Sequence, residues 1–451
     1  MTTLAISGGD AERLLEALGR PAETGWVLGA RASMDGQILL GRTLADVPDG
    51  AYLSRCATQM QIGSSGFVPA FGRALHLDGI PVFVHTHPGA DPQPSTLDDV
   101  VDRELSAFAS ARGLRGYASL ILGGTRSAPR FTGRVYSGTT ETAAITRLRV
   151  AGRHLRVHLS DHAKPGSPAP VFDRQVRAFG VHGQRLLGAL RVGVVGAGGT
   201  GSAVVEQLAR LGVGDLVIMD GDVVDETNLT RIHGSTTDDV GVPKAELAAR
   251  LAESFGTGTR ARAIVGSVAC RAGVEALGDR DVVFGCTDDQ AGRLVLSRFA
   301  YWYLVPVIDM GVMVDASEGQ IRGVEGRVTV LAPGEPCLDC RGQVDAVVAS
   351  AEMLDPARRS ELAGQGYIPG VDGHAPAVVS FTTVTAGLAV SDLLGRLMGY
   401  ADATSTQLLL RLHEQTVRPA GRPAREGHYC VTPENWGTGD SDPLLGIVGL
   451  R

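Results

Sequence analysis

Val192-Gly193-Val194-Val195-Gly196-Ala197-Gly198-Gly199-Thr200-Gly201 runs an apolar strand straight into a glycine-rich turn. The turn opens a helix that reaches about Gly212, and a second apolar strand, Leu216 to Met219, ends at Asp220. Gly196, Gly198, Gly199 and Gly201 let a phosphate approach the backbone. The helix N-terminus offers that phosphate free N–H groups and the positive end of its dipole. This much also satisfies the dinucleotide fingerprint, which wants an acid about 20 residues further on. On the glycines alone an NAD-binding oxidoreductase stays open. The polar run after the second strand discriminates better: Asp220-Gly221-Asp222 leads on to Asn228, Arg231 and Lys244. A dinucleotide fold has no need of it. An ATP site does, with Asp220 and its neighbour Asp222 at the nucleoside, and Asn228, Arg231 and Lys244 for the triphosphate and its developing charge.

At these residues the chain resembles the ThiF/MoeB/HesA superfamily of adenylyltransferases, relatives of ubiquitin-activating enzymes. Two further stretches fit. Asp281-Val282-Val283-Phe284-Gly285-Cys286-Thr287-Asp288 resembles the family strand that ends in a Thr-Asp pair. Arg174-Gln175, followed by Phe179-Gly180 and Gly183-Gln184, resembles its N-terminal Arg-Gln motif. The resemblance implies adenylation of the C-terminal glycine of a small ubiquitin-like or sulfur-carrier protein by ATP with Mg2+. It implies that Asp288 serves the Mg2+ ion or the phosphates, and that Arg174 reaches the phosphates of a second subunit in a homodimer.

Composition agrees with an α/β protein of two or three domains: 451 residues, Gly 60 and 5% aromatics. Net charge is -7 and no basic run stands out, so nucleic acid is not an expected partner. Six cysteines with a single Cys-x-x-Cys point to a reducing compartment and one metal site rather than a disulfide scaffold. The N-terminus carries Asp10, Glu12 and Glu16 and reads as no signal peptide. The charge-free run Ala375 to Ser391 is interrupted by Ser and Thr and reads as a buried helix, not a membrane span. The expectation is a cytoplasmic protein.

The first third is organised around a different pattern. A strand from Pro81 to Thr86 runs into His85-Thr86-His87-Pro88. Alternate side chains of a strand share a face, so the two histidines point the same way. Ser95-Thr96-Leu97-Asp98 then starts a helix that ends near Gly113. Two histidines and an aspartate make three ligands of zinc type, with a fourth position open as in catalytic sites. Ser95 to Asp98 also reads as a plain capping box, and the histidines as an exposed pair. His-x-His-Pro followed by Pro-Ser-x-x-Asp resembles the JAMM motif of JAB/MPN metallopeptidases. The resemblance implies that His85, His87 and Asp98 bind Zn2+, that Ser95 holds the oxyanion, and that Glu23, otherwise a solvated turn acid, takes the proton from zinc-bound water.

Strands near residues 118–122 and 130–136 continue this domain. Residues 139–159 are ambiguous, with short strands at 148–150 and 155–159, and His154, His158 and His162 read as solvated. Ser160 to Pro170 is the clearest linker, rich in Pro and expected to space two domains semi-rigidly. The division is therefore 1–137 for an α+β JAB/MPN domain, 138–170 for connection, and 171–451 for a Rossmann-like, doubly wound ThiF-type domain with a mostly parallel sheet. In that second domain Cys337 and Cys340 resemble the first half of the superfamily's structural zinc site. The usual second Cys-x-x-Cys is missing, and only His428 and Cys430 are left to complete it. Activating enzymes that form thioesters carry a cysteine in a crossover segment, and the matching stretch here, Tyr367 to Ala377, has none. The whole reads as a bifunctional adenylyltransferase and zinc peptidase. The rivals are a peptidase whose second half merely binds the ubiquitin-like protein, and an NAD-dependent oxidoreductase fused to a metal domain.

Overall fold

The structure, a computed structural model, describes residues 2–89, 91–163, 165–355, 357–359, 361, 365, 376–447 and 450. The first half comprises β1 (Thr2–Ser7), α1 (Gly8–Glu16), β2 (Gly25–Ala32), β3 (Ile38–Asp46), β4 (Tyr52–Arg55), β5 (Met60–Ile62), α2 (Val68–His76), β6 (Ile80–Thr86), α3 (Thr96–Ala111), β7 (Tyr117–Gly124), β8 (Pro129–Ser137), β9 (Thr140–Ala151) and β10 (Arg156–Leu159). Its main sheet has the order β1-β3-β2-β6-β7-β8-β9-β10. Because β9 also pairs with β1, the order closes on itself, leaving β10, which pairs with β9, at the rim. Leu28, Val82, Val84, Leu120, Ile145 and Leu148 fill the interior on one face, while Val27, Phe83 and Tyr117 pack with Phe71 of α2 and Leu105 of α3 on the other.

The second half comprises α4 (Asp173–Ala189), β11 (Arg191–Val195), α5 (Gly199–Arg210), β12 (Asp215–Asp220), α6 (Lys244–Ser254), β13 (Arg260–Val265), α7 (Arg271–Glu275), β14 (Val282–Gly285), α8 (Gln290–Trp302), β15 (Val307–Ser317), β16 (Gln320–Leu331), α9 (Ala346–Glu352), α10 (Val379–Met398), β17 (Gln407–Arg411) and β18 (Thr416–Pro419). The sheet order is β13-β12-β11-β14-β15-β16-β17-β18. Strands β13 to β15 are parallel and the last three pair antiparallel. β14, and β11 beyond Arg191, are wholly apolar and sit in the centre, as strands covered on both faces should. The chain leaves β11 for β12 on one side and reaches β14 on the other, so the strand order reverses at the C-terminal end of β11. Ligands of such sheets bind at that switch point.

The segment expected as a connector behaves otherwise. β9 and β10 hydrogen-bond into the first sheet, which therefore continues to Leu159. Nor does the Pro-rich stretch hold the halves apart. Ala5, Ile38, Leu40 and Ala151 share one apolar core with Val295, Phe299 and Tyr301 of the second half. β9 explains the closure. Its Leu148 and Val150 point into the first core, and its alternate residues Arg147 and Arg149 enter the second half. The Arg147 guanidinium donates to Asp281 at 2.7 Å and to the Ala189 carbonyl at 2.9 Å. Arg149 is fully buried, donating to the carbonyl oxygens of Gly278, Arg280 and Tyr303. Burial pushes its guanidinium down to about 10, with Asp281 opposing, so it stays charged at neutral pH. The C-terminal stretch adds a strap. Arg42 donates to the Glu434 and Trp436 carbonyls, and Gly437 N–H donates back to Tyr301 O. No helix among the described residues is long and apolar enough to cross a membrane.

Asp281→Ala should leave Arg147 buried without its carboxylate and Arg149 with Asp279 as its remaining nearby acid, a change that costs about 3–5 kcal/mol in comparable buried pairs. The expected result is a lower midpoint of urea unfolding for both halves together. An unchanged midpoint would show that the two halves do not depend on this contact.

Candidate functional site

Two clusters of polar side chains stand at sheet ends, and a third holds the C-terminal stretch. In the first half, β6 lies between β2 and β7, with Gly25 opposite His85. Continuing that antiparallel register sets Glu23 across from His87, and Thr86 N–H donates to Thr24 O at 3.1 Å. A capping box then fixes Asp98. Ser95 N–H and Oγ both donate to Asp98 Oδ2 at 2.7 Å, and Asp98 N–H donates to Ser95 Oγ. The capping reading of Ser95 to Asp98 is thus realised in the geometry, and it delivers the carboxylate to the histidines. His85 Nε2 lies 3.2 Å from His87 Nε2 and 3.2 Å from Asp98 Oδ1, and His87 Nε2 lies 3.5 Å from Asp98 Oδ2. Ligand atoms about 2.0–2.1 Å from one tetrahedral zinc are about 3.3–3.4 Å apart, so these three fit a single ion. His85 Nδ1 is buried without a hydrogen-bond partner among the described residues.

Glu23 is buried, not a solvated turn acid. Burial pushes its carboxyl up, opposed by His85 and His87 and supported by Asp98. Asp98 is held far below the usual carboxylate range: burial raises it, but hydrogen bonds to His85, His87 and Ser95 win. Burial of Glu23 and the hydrogen bonds to Asp98 thus push the two carboxyls of one cluster in opposite directions.

At the switch point of the second sheet, the turn after β11 is built by backbone approach. Gly196 has φ +91°, and a Cβ there would lie 2.7 Å from the Cys286 carbonyl. A Cβ on Gly201 would lie 1.8 Å from Gly196 O. Gly198, the N-cap of α5, faces open space. Asp220 accepts from Ala197 N–H at 2.6 Å and Asp222 N–H at 2.8 Å, and burial pushes its carboxyl up. Lys244 Nζ sits 2.8 Å from Asp222 Oδ2. Arg231 lies against Gly199 and donates to Thr227 O at 2.9 Å. Asn228 is buried in a capping box with Asp225. Asp288 is exposed at the end of β14, while its neighbour Asp289 caps α8. The structure therefore gathers the glycines, Asp220, Asp222, Arg231, Lys244 and Asp288 around the end of β11. It does not gather Arg174. That residue is exposed on α4 without a hydrogen bond or ion pair among the described residues, beside Gln175, which bonds to Arg210 O at the far end of α5. A helix of that length spans about 17 Å, too far for Arg174 to serve the turn of its own chain. The expected crossover stretch, Tyr367 to Ala377, lies outside the described residues except for Pro376 and Ala377.

The third cluster joins Cys337, Cys340, His428 and Cys430. His428 Nδ1 lies 3.5, 3.4 and 3.4 Å from the three sulfurs, and Cys340 Sγ lies 3.8 Å from Cys430 Sγ. A tetrahedral zinc with three sulfurs and one nitrogen needs about 3.5 and 3.8 Å for these edges. His428 Nε2 is 3.1 Å from Asp339 Oδ2, a carboxylate that orients the imidazole. Hydrogen bonding to Cys430 draws the Cys337 thiol down to about 5 despite burial.

The sequence reading missed Asp309 near the start of β15, with Arg293 of α8 and Arg327 of β16 beside it. Asp309 is fully buried, with Arg327 at 2.7 Å and Arg293 at 4.0 Å. An acid between apolar residues in Val307-Ile308-Asp309-Met310 was the available signal. Asp339 was missed too, though it lies inside Cys-x-x-Cys.

The ThiF family model matches residues 172–429. A SAMP-activating enzyme E1 of Haloferax volcanii is 35% identical over 161 residues, 36% of this chain and 56% of that protein. The molybdopterin-synthase adenylyltransferase of Escherichia coli is 36% identical over 176 residues, 38% of this chain and 66% of that protein. An adenylyltransferase and sulfurtransferase MOCS3 of Arabidopsis thaliana is 29% identical over 232 residues, 51% of this chain and 46% of that protein. The chain thus spans between 46% and 66% of the length of these relatives. A crystal structure of E. coli MccB with ATP superposes with a TM-score of 0.46 at 17% identity, over 60% of this chain and 76% of that one.

The geometry of the turn sets a stability test. Gly201→Ala should cost more than about 2 kcal/mol in chemical unfolding, because backbone must move. Gly198→Ala should be close to neutral. Equal stabilities would mean that the turn is not packed as described.

Proposed function

The chain belongs to the ThiF family, and on that premise we propose that it is a bifunctional enzyme acting on a small ubiquitin-like or sulfur-carrier protein. The second half adenylates that protein's C-terminal glycine with Mg-ATP, and the first half is a zinc peptidase of JAB/MPN type. The two regions meet in residues 160–170. The observation that carries the adenylation reading is the open backbone at Gly198, with Arg231, Lys244 and Asp288 around it.

Asp220 and Asp222 stand on the nucleoside side, Asp220 already oriented by two N–H groups. Gly196, Gly198, Gly199 and Gly201 bring the phosphates to the α5 N-terminus. Arg231 and Lys244 neutralise the triphosphate, with the Asn228 amide as a neutral donor to it, as the substrate carboxylate attacks the α-phosphorus, and pyrophosphate leaves. Asp288 holds the Mg2+ ion or orients the phosphates. Arg174 completes the site of a second copy in a two-fold homodimer. An exposed guanidinium without a partner among the described residues, remote from its own turn, supports that arrangement.

In the first half His85, His87 and Asp98 hold zinc, which when bound supplies a Lewis acid for the amide carbonyl and for water. Glu23 accepts the proton of the attacking water and returns it to the leaving amine; its raised carboxyl suits both transfers. Ser95 stabilises the oxyanion, for which its hydroxyl must leave Asp98. Cys337, Cys340, His428 and Cys430 hold a second, structural zinc with Asp339 behind His428.

Lys244→Ala should abolish ATP–pyrophosphate exchange, and Gly198→Val should do so without lowering stability. Exchange at wild-type rate in both would contradict the site. Metal analysis should find two zinc ions per chain, one lost in His87→Ala and the other in Cys340→Ser; unchanged zinc in both would contradict the ligand assignments. Glu23→Gln should keep both ions and lose peptide hydrolysis.

A further inference from the structure

Where β8 and β10 of the first half meet α4 and the end of α10, a cleft of about 910 Å³ opens beside the 160–170 segment. It touches neither chemical site. Its charge is lopsided. Arg130 is neutralised by Asp161, and Arg396 by Asp392 at 2.8 Å. Arg156 has no hydrogen bond or ion pair among the described residues, and Arg185 has only the Gly166 carbonyl, at 3.2 Å. His158 lines the same cleft beside Arg156 and is not solvated as its spacing suggested. Its Nε2 is buried with no hydrogen-bond partner among the described residues. Burial, with Arg156 and His182 beside it, pushes this imidazole down to about 4. Buried polar atoms are nearly always satisfied, and one left bare calls for a partner.

We propose that this cleft binds a small organic phosphate, its dianionic head between Arg156, Arg185 and His158 and its apolar body on Phe179, Leu397 and Met398. Two guanidiniums without carboxylates suit a dianion better than a single carboxylate, because each fork can grip two oxygens. The volume lies in the range of small-molecule sites, and Phe179, Leu397 and Met398 supply apolar wall beside the two guanidiniums. Since the wall belongs to both halves, the ligand would bridge them. The inference does not depend on the adenylation reading.

The test is titration calorimetry of the full chain with AMP, ribose 5-phosphate and glucose 6-phosphate, with inorganic phosphate as the headgroup control and a non-hydrolysable ATP analogue present to fill the glycine turn. At least one organic phosphate should bind with one site per chain and more tightly than inorganic phosphate. Arg156→Gln/Arg185→Gln should weaken it at least tenfold, and Lys244→Ala should leave it unchanged. Arg185→Gln alone, at a half-exposed helix position, should weaken it too and keeps the test valid if the double variant does not fold. No binding by any of the three, inorganic phosphate binding as tightly as each of them, or binding that survives both arginine variants would overturn the proposal.

Discussion

Arg147 and Arg149 on β9, held by Asp281 and four backbone carbonyls of the second half, set the relation between the two halves. A charged group taken out of water is tolerated only where its partners are already in place. Two such groups, alternating with Leu148 and Val150 in the first core, therefore fix how one sheet lies on the other. The shared apolar core and the strap from Glu434 to Asp440 follow that placement. The Cys337–Cys430 cluster anchors the strap where it leaves the second sheet.

A rigid arrangement has a consequence for function. The peptidase-type cluster stands at the end of β6 and the nucleotide turn at the end of β11, on separate sheets of one packed body. Under the proposed function, a flexible tail of the substrate protein, rather than a swinging domain, would be the part that moves between them. Tethering of both sites raises the local concentration of a released product at the second site, as for any linked pair.

Much of this was legible in the chain. Residues close in sequence, such as Gly196 to Gly201 or Ser95 to Asp98, carry their geometry in local rules of turn and cap. His85 and His87 share a face by strand period alone. What was not legible depends on distant pairing. β9 was ambiguous because arginines alternate with aliphatics, the pattern of a half-exposed strand, while both of its faces are buried. β1, β3 and the β17–β18 pair passed unread because short strands gain definition only from their neighbours. Glu23 became a credible base only when the β2–β6 register put it across from His87. His428 and Cys430 joined Cys337 and Cys340 by a return of the chain that no spacing encodes.

The central claim is that one chain trims and then activates the same protein tail. It is tested by offering the full-length Glu23→Gln variant two forms of a ubiquitin-like substrate, one ending at its glycine and one extended beyond it, and measuring ATP-dependent acyl-adenylate by intact mass together with pyrophosphate release. The expected result is adenylation of the trimmed form alone, with the extended form adenylated only by the chain that retains Glu23. Equal adenylation of both forms by the variant would contradict the claim.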